Sequence, residues 1–255
     1  MQTVTTDGAT VQYRLDGDGE ETVVFVPDAG VGPWLWSWQA PALAGPYRTL
    51  VYAPRGTGDS TAAEPYDVAQ FAADLEAVLA DAGVRRTHLV GAGLGGTVVL
   101  RYAREYGRAR SLVLFGVTAS GDDVDESALS ALHPADRTRL RESLSVAFTD
   151  PFLDRTEVVD RIVEWRRTED ATNAALAGHL TAVSASEADA LYELTRPALV
   201  LGGVDDPVVP LDAVEALAKE LPRGRFEPVE GKRFCFIEHS QAVTDAIDSF
   251  IDSVS

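Results

Sequence analysis

The residues with the most chemical content lie in Thr87-His88-Leu89-Val90-Gly91-Ala92-Gly93-Leu94-Gly95-Gly96-Thr97-Val98-Val99-Leu100. A short apolar run stops in small residues and an apolar helical pattern starts at once, which reads as strand, sharp turn, helix. In the spacing G-x-S-x-G such a turn holds a serine at strained backbone angles and exposes it as a nucleophile. Here the central residue is Gly93, which has no side chain. Other reactive groups are weaker candidates. Ser120, just past the next strand, is expected near a pocket rim, although a turn serine would sit there too. Ser60 suits a cap in a turn-rich loop, and Cys235, the one cysteine, suits a small buried apolar side chain. His88, His133, His179 and His239 fall at no metal-ligand spacing, so neither a metal nor a cofactor is expected. His179 reads as a surface residue of a helix, with projection toward a pocket as the alternative. The glycine run lacks the lysine of a phosphate loop and is read as missing the G-x-G-x-x-G spacing, so nucleotide binding is discounted.

Positioning these residues requires a sheet. Val23-Val24-Phe25-Val26, the short stretch before Gly93, Leu112-Val113-Leu114-Phe115 and Pro197-Ala198-Leu199-Val200-Leu201 are apolar runs, and Tyr47–Tyr52 reads as another buried strand. Runs without alternation indicate parallel strands covered on both faces. Thr10–Leu15 alternates and meets Asp16-Gly17-Asp18-Gly19, an early hairpin. Helical spacing occupies Asp67–Leu79, the stretch after Gly93, Leu211–Leu221 and Gln241–Ile251. This alternation predicts an α/β fold with a mostly parallel twisted sheet and helices on both faces. Between 121 and 189 only helical patterns occur, at Glu126–Leu132, Arg137–Phe148, Thr156–Trp165 and Ala171–Val183. Residues 1–120 and 190–255 are therefore expected to form the core and residues 121–189 a helical cap.

The 255 residues carry a formal charge of −18, with Lys219 and Lys232 as the only lysines. That charge argues against nucleic acid and anionic membranes as partners. It suits a chain kept hydrated in high salt, and an acidic protein from a GC-rich genome is the alternative. No signal-peptide pattern and no run near the ~20 apolar residues of a membrane span can be read, so a cytoplasmic protein is expected.

Five motifs in order resemble those of the α/β-hydrolases with a helical cap, the esterase, lactonase and epoxide-hydrolase-like group. Val23–Pro33 resembles the strand and oxyanion loop. Pro54-Arg55-Gly56-Thr57-Gly58-Asp59-Ser60 resembles R-G-x-G-x-S, and Gly91–Gly95 the nucleophile elbow. Leu201–Pro210 resembles the loop of the triad acid, and Gly231–His239 the segment with the triad histidine. The resemblance implies that Gly93 stands at the nucleophile position, Arg233 at the histidine and Asp206 at the acid (Asp205 if the loop slips by one), while Pro27 and Asp28 replace the His-Gly of the oxyanion loop. The backbone N–H groups of Ala29 and Leu94 would be the oxyanion donors.

That set does not support ordinary triad chemistry. A serine hydroxyl needs a base poised near neutral pH, and an arginine stays protonated. A carboxylate at Asp28 would oppose a developing oxyanion. Arg233 is instead expected to pair bidentately with Asp206, with Asp28 as a further acceptor. Three readings follow. The first is a non-hydrolytic protein binding a small apolar or anionic ligand, or a protein partner, with Ala29, Gly93, Leu94, Trp34 and Ser120 around the pocket. Trp34, Trp36 and Trp38 could equally pack a helix start against the cap. The second is a hydrolase or lyase acting on a small apolar ester, lactone or related substrate through Asp28, Asp206 and Arg233. The third is a structural subunit, in a homo-oligomer or beside an active paralogue.

Overall fold

The computed structural model describes residues 1–254. Strands β1 (Gln2–Thr6) and β2 (Ala9–Asp16) precede β3 (Thr22–Val26), α1 (Gln39–Leu43) and β4 (Arg48–Tyr52). Next come α2 (Val68–Asp81), β5 (Thr87–Ala92), α3 (Leu94–Glu105) and β6 (Ala109–Phe115). Five helices follow: α4 (Glu126–Leu132), α5 (Leu140–Ser143), α6 (Asp150–Leu153), α7 (Thr156–Glu169) and α8 (Asn173–Ser184). The chain returns to the sheet with β7 (Ala198–Gly203), α9 (Leu211–Glu220) and β8 (Gly224–Val229), and closes with α10 (Cys235–Glu238) and α11 (Ser240–Val254).

The eight strands form one sheet in the order β1-β2-β4-β3-β5-β6-β7-β8. β1 and β2 run antiparallel to their neighbours, and the remaining pairs are parallel. Every residue of β3, β5 and β7 is buried, because helices cover both faces of the sheet. Each face has its own apolar core. One joins Phe71, Leu75 and Val99 of α2 and α3 to the sheet; the other joins Trp36, Ile247 and the cap residues Leu144, Phe148 and Ile162. Register aligns the carboxyl ends of the central strands, with Val26 opposite Gly91 and Gly91 opposite Leu114. The loops after β3, β5, β6, β7 and β8 therefore converge at one end, where open α/β sheets gather their functional groups.

Two local readings change. The hairpin lies at the other end of β2: the polar stretch before Asp7 is strand β1, and Asp7-Gly8 turns it with φ of 32° and 79°. An Asp-Gly pair suits the positive φ of a two-residue hairpin. The helix expected over Arg137–Phe148 is broken into α5 flanked by 3-10 turns at Arg137–Arg139 and Leu144–Val146. The Ser143 and Ser145 hydroxyls donate to the carbonyls of Leu140 and Glu142, competing with the helical ladder. Among the described residues no helix is long and apolar enough to cross a membrane, and no His/Cys/Asp/Glu group could hold a metal ion.

Candidate functional site

β3 ends in Val26-Pro27 and delivers Asp28 into the interior, 1% exposed. One oxygen of its carboxylate, Oδ1, accepts the N–H groups of Ala29 (2.7 Å) and Leu94 (3.0 Å). The other, Oδ2, accepts Nε (3.0 Å) and Nη2 (2.8 Å) of Arg233. The side chain thus receives four hydrogen bonds, which is the capacity of an ionised carboxylate. Leu94 is the first residue of α3, so its amide also brings the positive end of that helix to Asp28.

Arg233 enters from the segment between β8 and α10, buried to 6% exposure. Its Nη1 donates to Asp206 Oδ2 (3.2 Å) and to the carbonyl of Gly116 (3.1 Å). Asp206 is held from behind by the amides of Val208 (2.8 Å) and Val209 (3.3 Å). The expected bidentate pairing with Asp206 is therefore corrected: Asp28 is the main acceptor and Asp206 the lesser one. Burial works against the Arg233 charge, but the Asp28 and Asp206 carboxylates outweigh it and raise its pKa. Burial raises the Asp206 carboxyl above its ordinary value, against the opposing pull of Arg233 and the two amides.

Two glycines make room for this cluster. Gly93 turns from β5 into α3 at φ 47°, ψ −119°, and a Cβ there would lie 1.9 Å from Asp28 Oδ1 and 2.3 Å from Arg233 Nη2. Gly116, after β6, has φ 56°, and a Cβ there would lie 2.9 Å from Arg233 Nη1. The ion-pair cluster occupies the volume in which a side chain at 93 would stand. A space of about 10 Å³ remains beside Asp28, Leu94 and His179, room for about one water.

The cap is fastened over the cluster. His179 of α8 is 1% exposed; its Nδ1 accepts Gly30 N–H (3.0 Å), and Nε2 donates to the Arg55 carbonyl (2.9 Å). The two bonds define a neutral tautomer, and burial lowers the pKa to about 4. His133 is also buried and lowered to about 3, by desolvation and then by Arg166. Asp170 Oδ1 accepts Trp34 Nε1 (2.7 Å) and Gly32 N–H (3.2 Å), while its Oδ2 pairs with Arg166 (2.7 Å).

Residues 23–246 match the family described as "Alpha/beta hydrolase family". The chain belongs to the α/β-hydrolase family. A hydrolase from Pseudomonas aeruginosa is 30% identical, covers 98% of this chain and 97% of its own, and superposes with a TM-score of 0.85. The enol-lactonase of Burkholderia xenovorans shares the fold at 24% identity and a TM-score of 0.84, covering 98% of this chain and all of its own. 3-Oxoadipate enol-lactonase 1 of Acinetobacter baylyi is 21% identical over 97% of this chain and 95% of its own length.

Within this α/β-hydrolase fold, Asp28, Ala29, Gly93, Leu94, Asp206 and Arg233 gather in one buried cluster. Two of the other expected site residues lie apart from it. Ser120 donates to Glu187 (3.1 Å) at the cap junction and accepts Asp122 N–H, so it is a capping residue. Trp34 is 1% exposed and packs edge-on to Phe234, 6.1 Å between ring centres, joining the loop to the cap. Ser60 donates to the Ala53 carbonyl, and burial pushes the Cys235 thiol up to about 12, away from thiolate chemistry. Gly91, Gly93 and Gly96 do stand at G-x-G-x-x-G spacing, but the Leu94 amide at the helix start is taken by Asp28. His179, read as a surface residue, is instead buried. The overlooked signal was its place in line with Ala171 and Ala175 on one face of the helical pattern.

Proposed function

We propose that this chain is a non-hydrolytic member of the family, with Gly93 at the nucleophile position, Arg233 at the histidine and Asp28 filling the oxyanion hole. The observation that carries the reading is the Asp28 carboxylate. Its Oδ1 takes both amides, Ala29 and Leu94, that would stabilise an oxyanion, and its Oδ2 is neutralised by Arg233. Nothing at Gly93 can attack, nothing at Arg233 can take a proton, and about 10 Å³ leaves no space for an ester. The former reaction centre then works as a rivet joining the core loops after β3, β6, β7 and β8 to the start of α3, and the protein acts by binding a ligand or partner elsewhere on its surface.

The test uses a lactone and an ester, chosen because relatives are named for an enol-lactone and an esterase is among the fold neighbours. Gly93→Ser alone would collide with Asp28 and Arg233, so the comparison is the natural protein against Asp28→Gly/Gly93→Ser/Arg233→His. The natural protein is expected to leave 4-nitrophenyl acetate and γ-butyrolactone at the buffer rate and to take no label from a fluorophosphonate probe. The triple variant is expected to be labelled at residue 93. Turnover by the natural protein well above buffer would overturn the proposal and point to Asp28, Asp206 and Arg233 as a working polar set.

A further inference from the structure

Outside the sealed cluster, a groove of about 470 Å³ lies between the cap and the core, within the usual range for small-molecule sites. Its walls come from the start of α2, the outer face of α3, and the cap from the end of α8 to Leu194. The floor is apolar: Leu100, Ala182, Leu191 and Leu194 are each no more than 5% exposed. Two guanidinium groups, Arg101 and Arg104, sit one turn apart on α3 and share this side of the helix.

Those arginines are incompletely used. Arg101 Nη2 pairs with Glu105 (2.7 Å), but its Nε is buried and has no hydrogen-bond partner among the described residues. Arg104 gives one Nη1 bond to the Asp189 carbonyl (2.8 Å). The acidic residues of the lining are partly engaged: Asp67 caps α2 through Gln70 N–H, and Glu187 accepts the Ser120 hydroxyl. Asp189 is exposed at the rim. The Nε of Arg101 is covered, so a ligand in the groove would meet the outer Nη groups of the two arginines, and a carboxylate suits a guanidinium best.

We propose that this groove binds a small carboxylic acid with an apolar body, the body on Leu100 and Ala182 and the carboxylate on Arg101 and Arg104. The inference goes beyond the sealed triad and does not depend on it, since binding is read here without turnover. The probe is 4-phenylbutyrate, followed by titration calorimetry, with 4-phenyl-1-butanol as the neutral control. The acid is expected to bind at least about tenfold more tightly than the alcohol, the scale of one charge-assisted hydrogen bond. Arg101→Gln/Arg104→Gln is expected to bring the acid down to the alcohol's affinity. Thr181→Trp, an exposed lining position, is expected to block both compounds. Absence of binding, equal affinity for acid and alcohol, or acid binding unchanged in both variants would overturn the proposal.

Discussion

Among the described residues Arg233 is the only cation in contact with Asp28 and Asp206, two carboxylates each 1% exposed at the side chain, so its loss leaves two negative charges in the interior. Breaking a buried ion pair from one side costs about 3–5 kcal/mol, whereas removing the whole set can be close to neutral. Urea unfolding of Arg233→Met is therefore expected to show a loss of about 3–5 kcal/mol. Adding Asp28→Asn and Asp206→Asn is expected to restore most of it, and an undiminished stability for Arg233→Met alone would refute the rivet. This cluster was half legible in the sequence. Gly93 and Arg233 stand out because Leu94 and Phe234 beside them keep the local patterns in register. The order of the partners was not legible: Asp28 outranks Asp206 because the loop after β3 sets its Oδ2 against both Nε and Nη2 of Arg233, while Asp206 meets only Nη1, a matter of loop geometry. The Gly116 carbonyl could not be found either, since a backbone acceptor carries no residue signature.

At the scale of elements, α8 is held to the loops beneath it through a histidine that must stay uncharged. In the unfolded chain His179 and His133 protonate near pH 6.5; in the fold they resist until about 4 and about 3. The folded state therefore binds fewer protons than the unfolded state across that window. Stability is fully present above pH 6.5 and falls as the pH drops toward 4, with about 1.4 kcal/mol per pH unit from each histidine. His179→Gln can still accept from Gly30 and donate to Arg55 but does not titrate. Its stability between pH 6 and pH 4.5 is expected to fall less steeply than that of the natural protein by about 1 kcal/mol per pH unit; parallel slopes would show that His179 titrates normally in the fold. The elements themselves were largely readable, since β3, β5 and β7 carry apolar runs without alternation, such as Val23–Val26 and Ala198–Leu201. The failures came where polar residues decide: threonine-rich β1 carries no apolar run to mark it as a strand, and the serines around α5 hide the helix breaks.

For the whole molecule the governing property is charge. The sequence carries 40 acidic against 22 basic residues, and repulsion among them weakens as the Debye length shrinks from about 10 Å at 0.1 M salt to about 3 Å at 1 M. For a domain of this size each kcal/mol relieved is worth roughly 2–4 °C in melting temperature. The melting temperature is expected to rise by several degrees between 0.1 and 2 M potassium chloride, as a high-salt habitat would require. A flat or falling response would remove the basis for the high-salt reading. Composition shows this tendency directly, because net charge is a sum that needs no fold. The five ordered motifs show the architecture for a related reason: each marks a loop at the carboxyl end of a strand, and parallel strands can place those loops together in few ways.

The crowding above Gly93 also makes three positions interdependent. A serine at that position has no stable place while Asp28 and Arg233 remain, since its Cβ alone would overlap both. Positions 28, 93 and 233 are thus coupled by packing: a side chain at 93 requires a change at 28 or 233 in the same chain. Substitutions at these three positions are therefore not additive, and a variant at one reads out the other two as well.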